Sequence, residues 1–400
     1  MARYSMSCVL LGGLLAGTLG GMAHATETAA PAPTAAQQAA PAPAPATPAA
    51  PAQSPWDLLK AGQALASGEG VAKDTAKARA IFEQLMEQDN KQLAAAAAYN
   101  LAKLAAGDLK DPDLSTRALE RGIALDDPWA MIMRAQALAK GTAKDQAKAA
   151  ELYLRAKEVG QKNPDVQKAA DYALGQLYLT PGLLSAKKAL AYHQSAADLG
   201  NAWSLMAIGG IYEKGTGTKA NWTKSRDAYL KAYDSGVAEV KGAAALALAR
   251  LYSQPGHSAP KRAVEYLLVG QQSGNVWATM MLADRYLKGL GVKKSTATAR
   301  RLYTELKAGS DPGASGAAAF QLGRLYSTVK PRNLKLAEEN FKFGAARGDV
   351  WSSFFLAQLY INDMRSKANR RKARELLQGV AKSDDPQARK AATALLKKVR

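Results

Sequence analysis

Beyond residue 25 the chain has two histidines, His193 in AYHQSAA and His257 in QPGHSAP. Neither belongs to an H-x-x-x-H or H-E-x-x-H pattern, the spacings that bring two imidazoles to one helical face around zinc. The single cysteine, Cys8, precedes most of an apolar leader run, so the remainder has no thiol chemistry and no disulfide. No G-x-S-x-G nucleophile elbow, P-loop, dinucleotide fingerprint or calcium loop occurs. Adjacent carboxylates such as Glu338 and Glu339, or Asp126 and Asp127, have the chemistry of a glycosidase or lyase. Neighbours in sequence point in different directions from a helix, however, and do not flank one bond. They read as solvated surface. No catalytic, metal-ligating or cofactor-binding residue is assigned, and the chain reads as a non-enzyme without a cofactor.

Binding chemistry is better represented. Trp129, Trp203, Trp277 and Trp351 recur every 74 residues, and Trp56 precedes them by 73. Such a row suits either of two roles: flat platforms for sugar rings, or wedges that open the first helix of a repeat and pack on the preceding one. Trp222, in KANWTKS, breaks the beat, so periodic packing does not account for it and it is expected to be exposed. Residues 365–400 carry 12 basic and three acidic residues. Within them Lys367, Arg370, Arg371 and Arg374 have the spacing of one helical face, with Ala373, Leu376, Leu377 and Val380 mainly on the other. A solenoid needs a polar cap at its end. A cap does not need a single sign of charge, so the four also form a candidate docking stripe for an anionic partner.

The elements that position these residues follow from a repeated pentapeptide. LGQLY, IGGIY, LARLY, LADRY, LGRLY and LAQLY start at 174, 208, 248, 282, 322 and 356, with weaker copies at 61, 101 and 134. The steps alternate between 40 and 33 or 34. In each strong copy the first residue and the Tyr are four apart and share a helical face. Between them stands Gly175, Gly209, Ala249, Ala283, Gly323 or Ala357, a small residue that lets a neighbouring helix approach closely. Glycine-containing turns follow, as in EKGTG at 213–217 and LKGLG at 287–291, and then a second amphipathic helix that often ends at glycine, as at Gly200, Gly274 and Gly348. No segment keeps a two-residue alternation. A fixed period of this length predicts an all-α solenoid of about nine helix-turn-helix repeats.

IGGIYEKGTG with SRDAYLKAYDSG, and LADRYLKGLGV with ARRLYTELKAG, resemble the Sel1-like repeat, a relative of the tetratricopeptide repeat. The resemblance runs over roughly 56–390 and implies a right-handed α-solenoid serving as an interaction scaffold. SQPGHSAP at 253–260 and STVKPRN at 327–333 depart from the Gly-x-Gly turn, and the paired cysteines of some secreted members are missing.

Arg3, the apolar run Val9 to Leu19 and the small-x-small site Ala23-His24-Ala25 read as a signal peptide over 1–25, too short to span a bilayer. With no lipid-attachment cysteine after the apolar run and no later transmembrane segment, the expected destination is the periplasm, or else the exterior. Residues 26–55 contain 13 Ala and 8 Pro and read as a disordered linker, with a reach of roughly 90 Å at about 3.1 Å per residue. Deleting 26–55 is expected to leave the melting temperature and helical content of 56–400 unchanged. Loss of helical circular dichroism on deletion would show that the segment packs on the repeats. The formal charge of +20, or +19 without Arg3, points to anionic partners. In that compartment these are other envelope proteins, acidic polysaccharide or cell-wall polymer, and not nucleic acid. The sequence thus reads as a periplasmic scaffold or adaptor, with envelope-polysaccharide assembly or secretion as the setting that the resemblance implies. The alternatives are a direct binder of anionic glycan through the basic C-terminal face and, lastly, a cell-wall polymer hydrolase or lyase.

Overall fold

The computed structural model describes residues 54–364 and 366–398. The leader and most of the Pro/Ala stretch lie outside the described residues. Its last two residues belong to the first helix instead: Ser54 accepts a hydrogen bond from the Asp57 backbone and Pro55 opens the helix, where its missing N–H costs nothing.

The described residues form nineteen helices and no strand. They pair as α1 Pro55–Ser67 with α2 Thr75–Met86, α3 Lys91–Gly107 with α4 Pro112–Ala124, α5 Pro128–Leu138 with α6 Ala143–Val159, and α7 Pro164–Leu177 with α8 Ala186–Asp198. Next come α9 Ala202–Lys214 with α10 Trp222–Tyr233, α11 Ala238–Leu251 with α12 Pro260–Gln272, and α13 Val276–Lys288 with α14 Thr296–Ala308. The series ends with α15 Pro312–Thr328 and α16 Leu334–Ala346, α17 Val350–Asn362 and α18 Lys367–Val380, and a closing α19 Pro386–Leu396. This is the all-α repeat solenoid that the pentapeptides predict.

Corners between hairpins use a two-residue device. Gly200, Gly274 and Gly348 adopt φ of +86°, +73° and +81°, a region open to glycine without steric cost. The next residue, Asn201, Asn275 or Asp349, then caps the following helix by accepting backbone N–H groups, a contact worth about 1 kcal/mol.

Each odd-numbered helix touches the odd-numbered helix two along, whereas even-numbered helices touch only their sequence neighbours. The odd helices therefore make a continuous inner layer and the even ones an outer layer. The small residue of the pentapeptide explains how tightly a hairpin closes. A methyl group on Gly175, Gly209 or Gly323 would lie 2.7, 2.4 or 2.6 Å from the ring of His193, Tyr229 or Phe341, each on the second helix of the same hairpin. The close neighbour is thus a ring, for which only the bare backbone leaves room.

The two alternating steps also have a cause. Helices α3, α7, α11 and α15 begin ten residues before the first position of the pentapeptide, but α1, α5, α9, α13 and α17 begin six before it. One extra N-terminal turn on alternate inner helices supplies four of the six residues by which the longer step exceeds the shorter.

Candidate interaction surfaces

Inner helices are buried on every side but one. In α15, Ala318, Ala319, Phe320, Leu322, Gly323 and Leu325 are buried, while Ala317, Gln321, Arg324 and Thr328 stay open. These four recur at helical spacing, so they form a stripe. The same register gives Trp203, Ala207, Gly210 and Lys214 on α9. Stripes of successive inner helices meet. Gln63 Nε2 on α1 donates to Asn100 Oδ1 on α3 at 3.3 Å. The Arg324 guanidinium on α15 lies 5.7 Å from the Phe320 ring and 5.9 Å from that of Phe355 on α17. They form one surface along the inner layer.

The five periodic tryptophans all stand at one register of this surface, on α1, α5, α9, α13 and α17. Ala96, Ala169, Ala243 and Ala317 hold that register on the helices between. Two of the rings make contacts toward the following inner helix, the opposite direction from the wedge reading. Trp277 reaches Gly313 in the extra turn of α15, and Trp351 Nε1 donates to Asp385 Oδ2, the cap of α19, at 3.1 Å. Alanine at the same register of α15 leaves room for the Trp277 ring. Packing leaves part of the row open: Trp56 and Trp203 remain 42% and 38% exposed.

Trp222 departs from the expectation of an exposed aromatic. It is half-buried at the start of α10, its ring stacked on His257 at 4.4 Å and 14°, with the Arg226 guanidinium 5.2 Å from the ring centroid. Its Nε1 donates to the Leu251 carbonyl at 3.4 Å. The cover comes from the loop after α11, the stretch SQPGHSAP that departs from the Gly-x-Gly turn. Reading the 74-residue beat alone missed this.

Lys367, Arg370, Arg371 and Arg374 are all exposed on α18, while Ala373, Leu377 and Val380 are buried beneath and Leu376 is partly so. Arg371 lies 3.8 Å from Glu375. No carboxylate among the described residues is within ion-pair distance of the other three.

His193 is wholly buried, its Nδ1 3.4 Å from Ser204 Oγ and its Nε2 without a partner; burial pushes its pKa down to about 4. Asp127 caps α5 and Asp126 pairs with Arg155 at 2.5 Å. Glu338 accepts from the Tyr360 hydroxyl at 2.7 Å and pairs with Lys342 at 2.6 Å. Among the described residues no three His, Cys, Asp or Glu side chains gather in a way that would hold a metal ion, and no helix is long and apolar enough to cross a membrane.

A stack of helical hairpins with one open inner face defines an α-solenoid of the tetratricopeptide-like class. Within that class the chain carries five Sel1 repeats: the Sel1 repeat family matches residues 58–90, 130–160, 168–201, 278–306 and 316–349. The intervening stretches 91–129 and 202–277 fold into the same hairpins although the family does not match them. Among solved structures, the chain is similar to a protective antigen present in uropathogenic Escherichia coli strains displaying an SLR fold, at 20% identity over 86% of this chain and 72% of that one, with a TM-score of 0.53. It is also similar to a Sel1 repeat protein from Oxalobacter formigenes, at 24% identity over 61% of this chain and 98% of that one, with a TM-score of 0.47. No curated protein matches the chain.

Proposed function

We propose that the protein is a non-catalytic scaffold of the cell envelope, exported to the periplasm by its leader and tethered by the Pro/Ala segment. Sel1-repeat proteins generally mediate protein–protein interaction. The observation that carries the reading here is the single open face running along the inner helices, which offers a partner length rather than a cleft. An assembly or secretion complex for envelope polysaccharide is the setting that agrees with the leader and the +20 charge. Capture from envelope extract with the tagged full chain, followed by mass spectrometry, should return the same envelope proteins reproducibly and lose them when the inner face is altered. Capture of nothing above background would sink the scaffold reading.

The exposed basic stripe on α18 favours a second reading, in which that face docks an anionic glycan or an acidic partner surface. Changing Lys367, Arg370, Arg371 and Arg374 together to Glu is expected to abolish retention on an acidic polysaccharide column. The matched control reverses Lys144, Lys148, Lys187 and Lys231, which are exposed on outer helices. Equal loss in both variants would assign retention to net charge and leave the stripe a cap.

A further inference from the structure

The inner surface repeats in backbone register, and its open positions are held mostly by amides and cations. At the register two residues beyond the first of each pentapeptide stand Gln63, Lys103, Gln136, Gln176, Gly210, Arg250, Asp284, Arg324 and Gln358 on successive inner helices. At the position four residues further on, three of the nine are cations, Lys214, Lys288 and, just past the end of α5, Lys140. Of the nine residues at the first register one, Asp284, is a carboxylate, and it accepts the Tyr303 hydroxyl; Glu213 also reaches this surface, where it accepts from Gln254 at 3.2 Å. Among the described residues none of Lys103, Lys140, Lys214, Arg250, Lys288 and Arg324 has a carboxylate within ion-pair distance. Lys60, also on this face, sits 3.8 Å from Asp57. Elsewhere some cations, such as Lys73, Arg155 and Arg332, are paired at 2.5–2.8 Å, while others on the outer helices are not, so what marks the inner cations is their common face with the tryptophans. Along one edge of the same face run the tryptophans, one on every second inner helix, with alanine between.

We propose that this inner face binds an extended acidic polysaccharide, distinct from any partner held by α18. Three kinds of group converge on that occupant. An indole face meets the apolar C–H face of a sugar ring. Side-chain amides offer both donors and an acceptor to hydroxyls. Lysine and arginine take carboxylates, and arginine can do so with two parallel hydrogen bonds. Periodicity favours a polymer: the tryptophan register restates itself every two repeats, which a repeating chain can follow, while the cations and amides between vary in place but not in kind of contact. An inorganic polyanion has no apolar face for the tryptophans. The proposal goes beyond the scaffold reading and does not depend on it, since protein capture and polymer binding are measured separately.

The test uses the full chain and polygalacturonate, followed by titration calorimetry and tryptophan fluorescence, with dextran as the neutral polymer and poly-L-glutamate as the acidic polypeptide. Polygalacturonate should bind, quench tryptophan emission and weaken as salt rises, because exposed charges are screened over about 8 Å at physiological ionic strength. Reversing Arg250, Lys288 and Arg324 to Glu should weaken binding at least tenfold, whereas reversing Lys144, Lys187 and Lys231 should leave it within about twofold. Trp203→Ala should weaken polygalacturonate and leave poly-L-glutamate unchanged. Helical circular dichroism checks each variant, and changing the three cations to Gln replaces the reversal if that variant does not fold. No binding of polygalacturonate, equal loss in both reversals, or poly-L-glutamate bound as tightly and without regard to Trp203 would each overturn the assignment.

Discussion

Gly323→Leu is expected to destabilise the array by about 1–3 kcal/mol, the range for overpacked interiors. A side chain at 323 begins 2.6 Å from Cδ1 and Cε1 of Phe341, well inside contact distance, and Phe341 is wholly buried. Phe320 and Phe355 stand 6.3 and 6.1 Å from the ring, centroid to centroid, and hinder its displacement. The clash is therefore specific, and Phe341→Ala in the same chain should recover part of the loss. A double-mutant cycle in urea makes the comparison. If the two changes simply add, the glycine does not exist to admit that ring. Gly323→Ala keeps most of the overlap and should also destabilise, although it favours helix intrinsically.

The second large effect concerns acid. His193 occupies over Gly175 the place that Phe341 occupies over Gly323, with imidazole in a site built for an apolar ring. Burial holds it neutral, with a pKa of about 4 against the ordinary 6.5. Between those values the unfolded chain binds a proton that the folded chain refuses. The stability that the neutral ring permits is thus fully present above about pH 6.5 and falls as pH drops, by on the order of 3 kcal/mol once pH 4 is reached. His193→Phe should abolish that slope while leaving the remaining acid sensitivity; at neutral pH, removing the unpartnered Nε2 is offset by the loss of the Nδ1 contact to the buried Ser204 hydroxyl. Urea melts at pH 4.5, 5.5, 6.5 and 7.5 on both chains measure it. Parallel pH profiles would show that His193 reaches solvent or finds a partner.

Legibility followed the range over which a residue's surroundings are set. The hairpins could be read from sequence because Leu322, Gly323 and Tyr326 owe their spacing to one helix and its immediate neighbour. The face made by Lys367, Arg370, Arg371 and Arg374 could be read for the same reason: amphipathicity within α18 alone decides it. Trp222 could not, since its cover, His257, arrives in another repeat and on an irregular loop. The two step lengths were visible as numbers and went unread as an added helical turn, although Asn163-Pro164 and Asp311-Pro312 mark the early starts of α7 and α15; of the longer inner helices only α11, which contains KGAAALALARLY, begins without a side-chain cap. The open inner stripe did leave a signal that went unread. The third residue of the pentapeptide is variable and polar in most copies, and the tryptophans alternate with alanine at one register.

The restriction of every helix to partners no more than two places away bears on how the chain reaches its folded state. Contacts of short sequence separation close quickly and do not wait for a distant segment. A chain emerging N-terminus first, from a ribosome or a membrane pore, can therefore bury α1 against α2 and α3 while α17 is still unmade or untranslocated. Each later hairpin then finds a finished surface to land on. At any moment the sticky portion is the latest unpaired hairpin, so the hazard of aggregation is confined to a moving front.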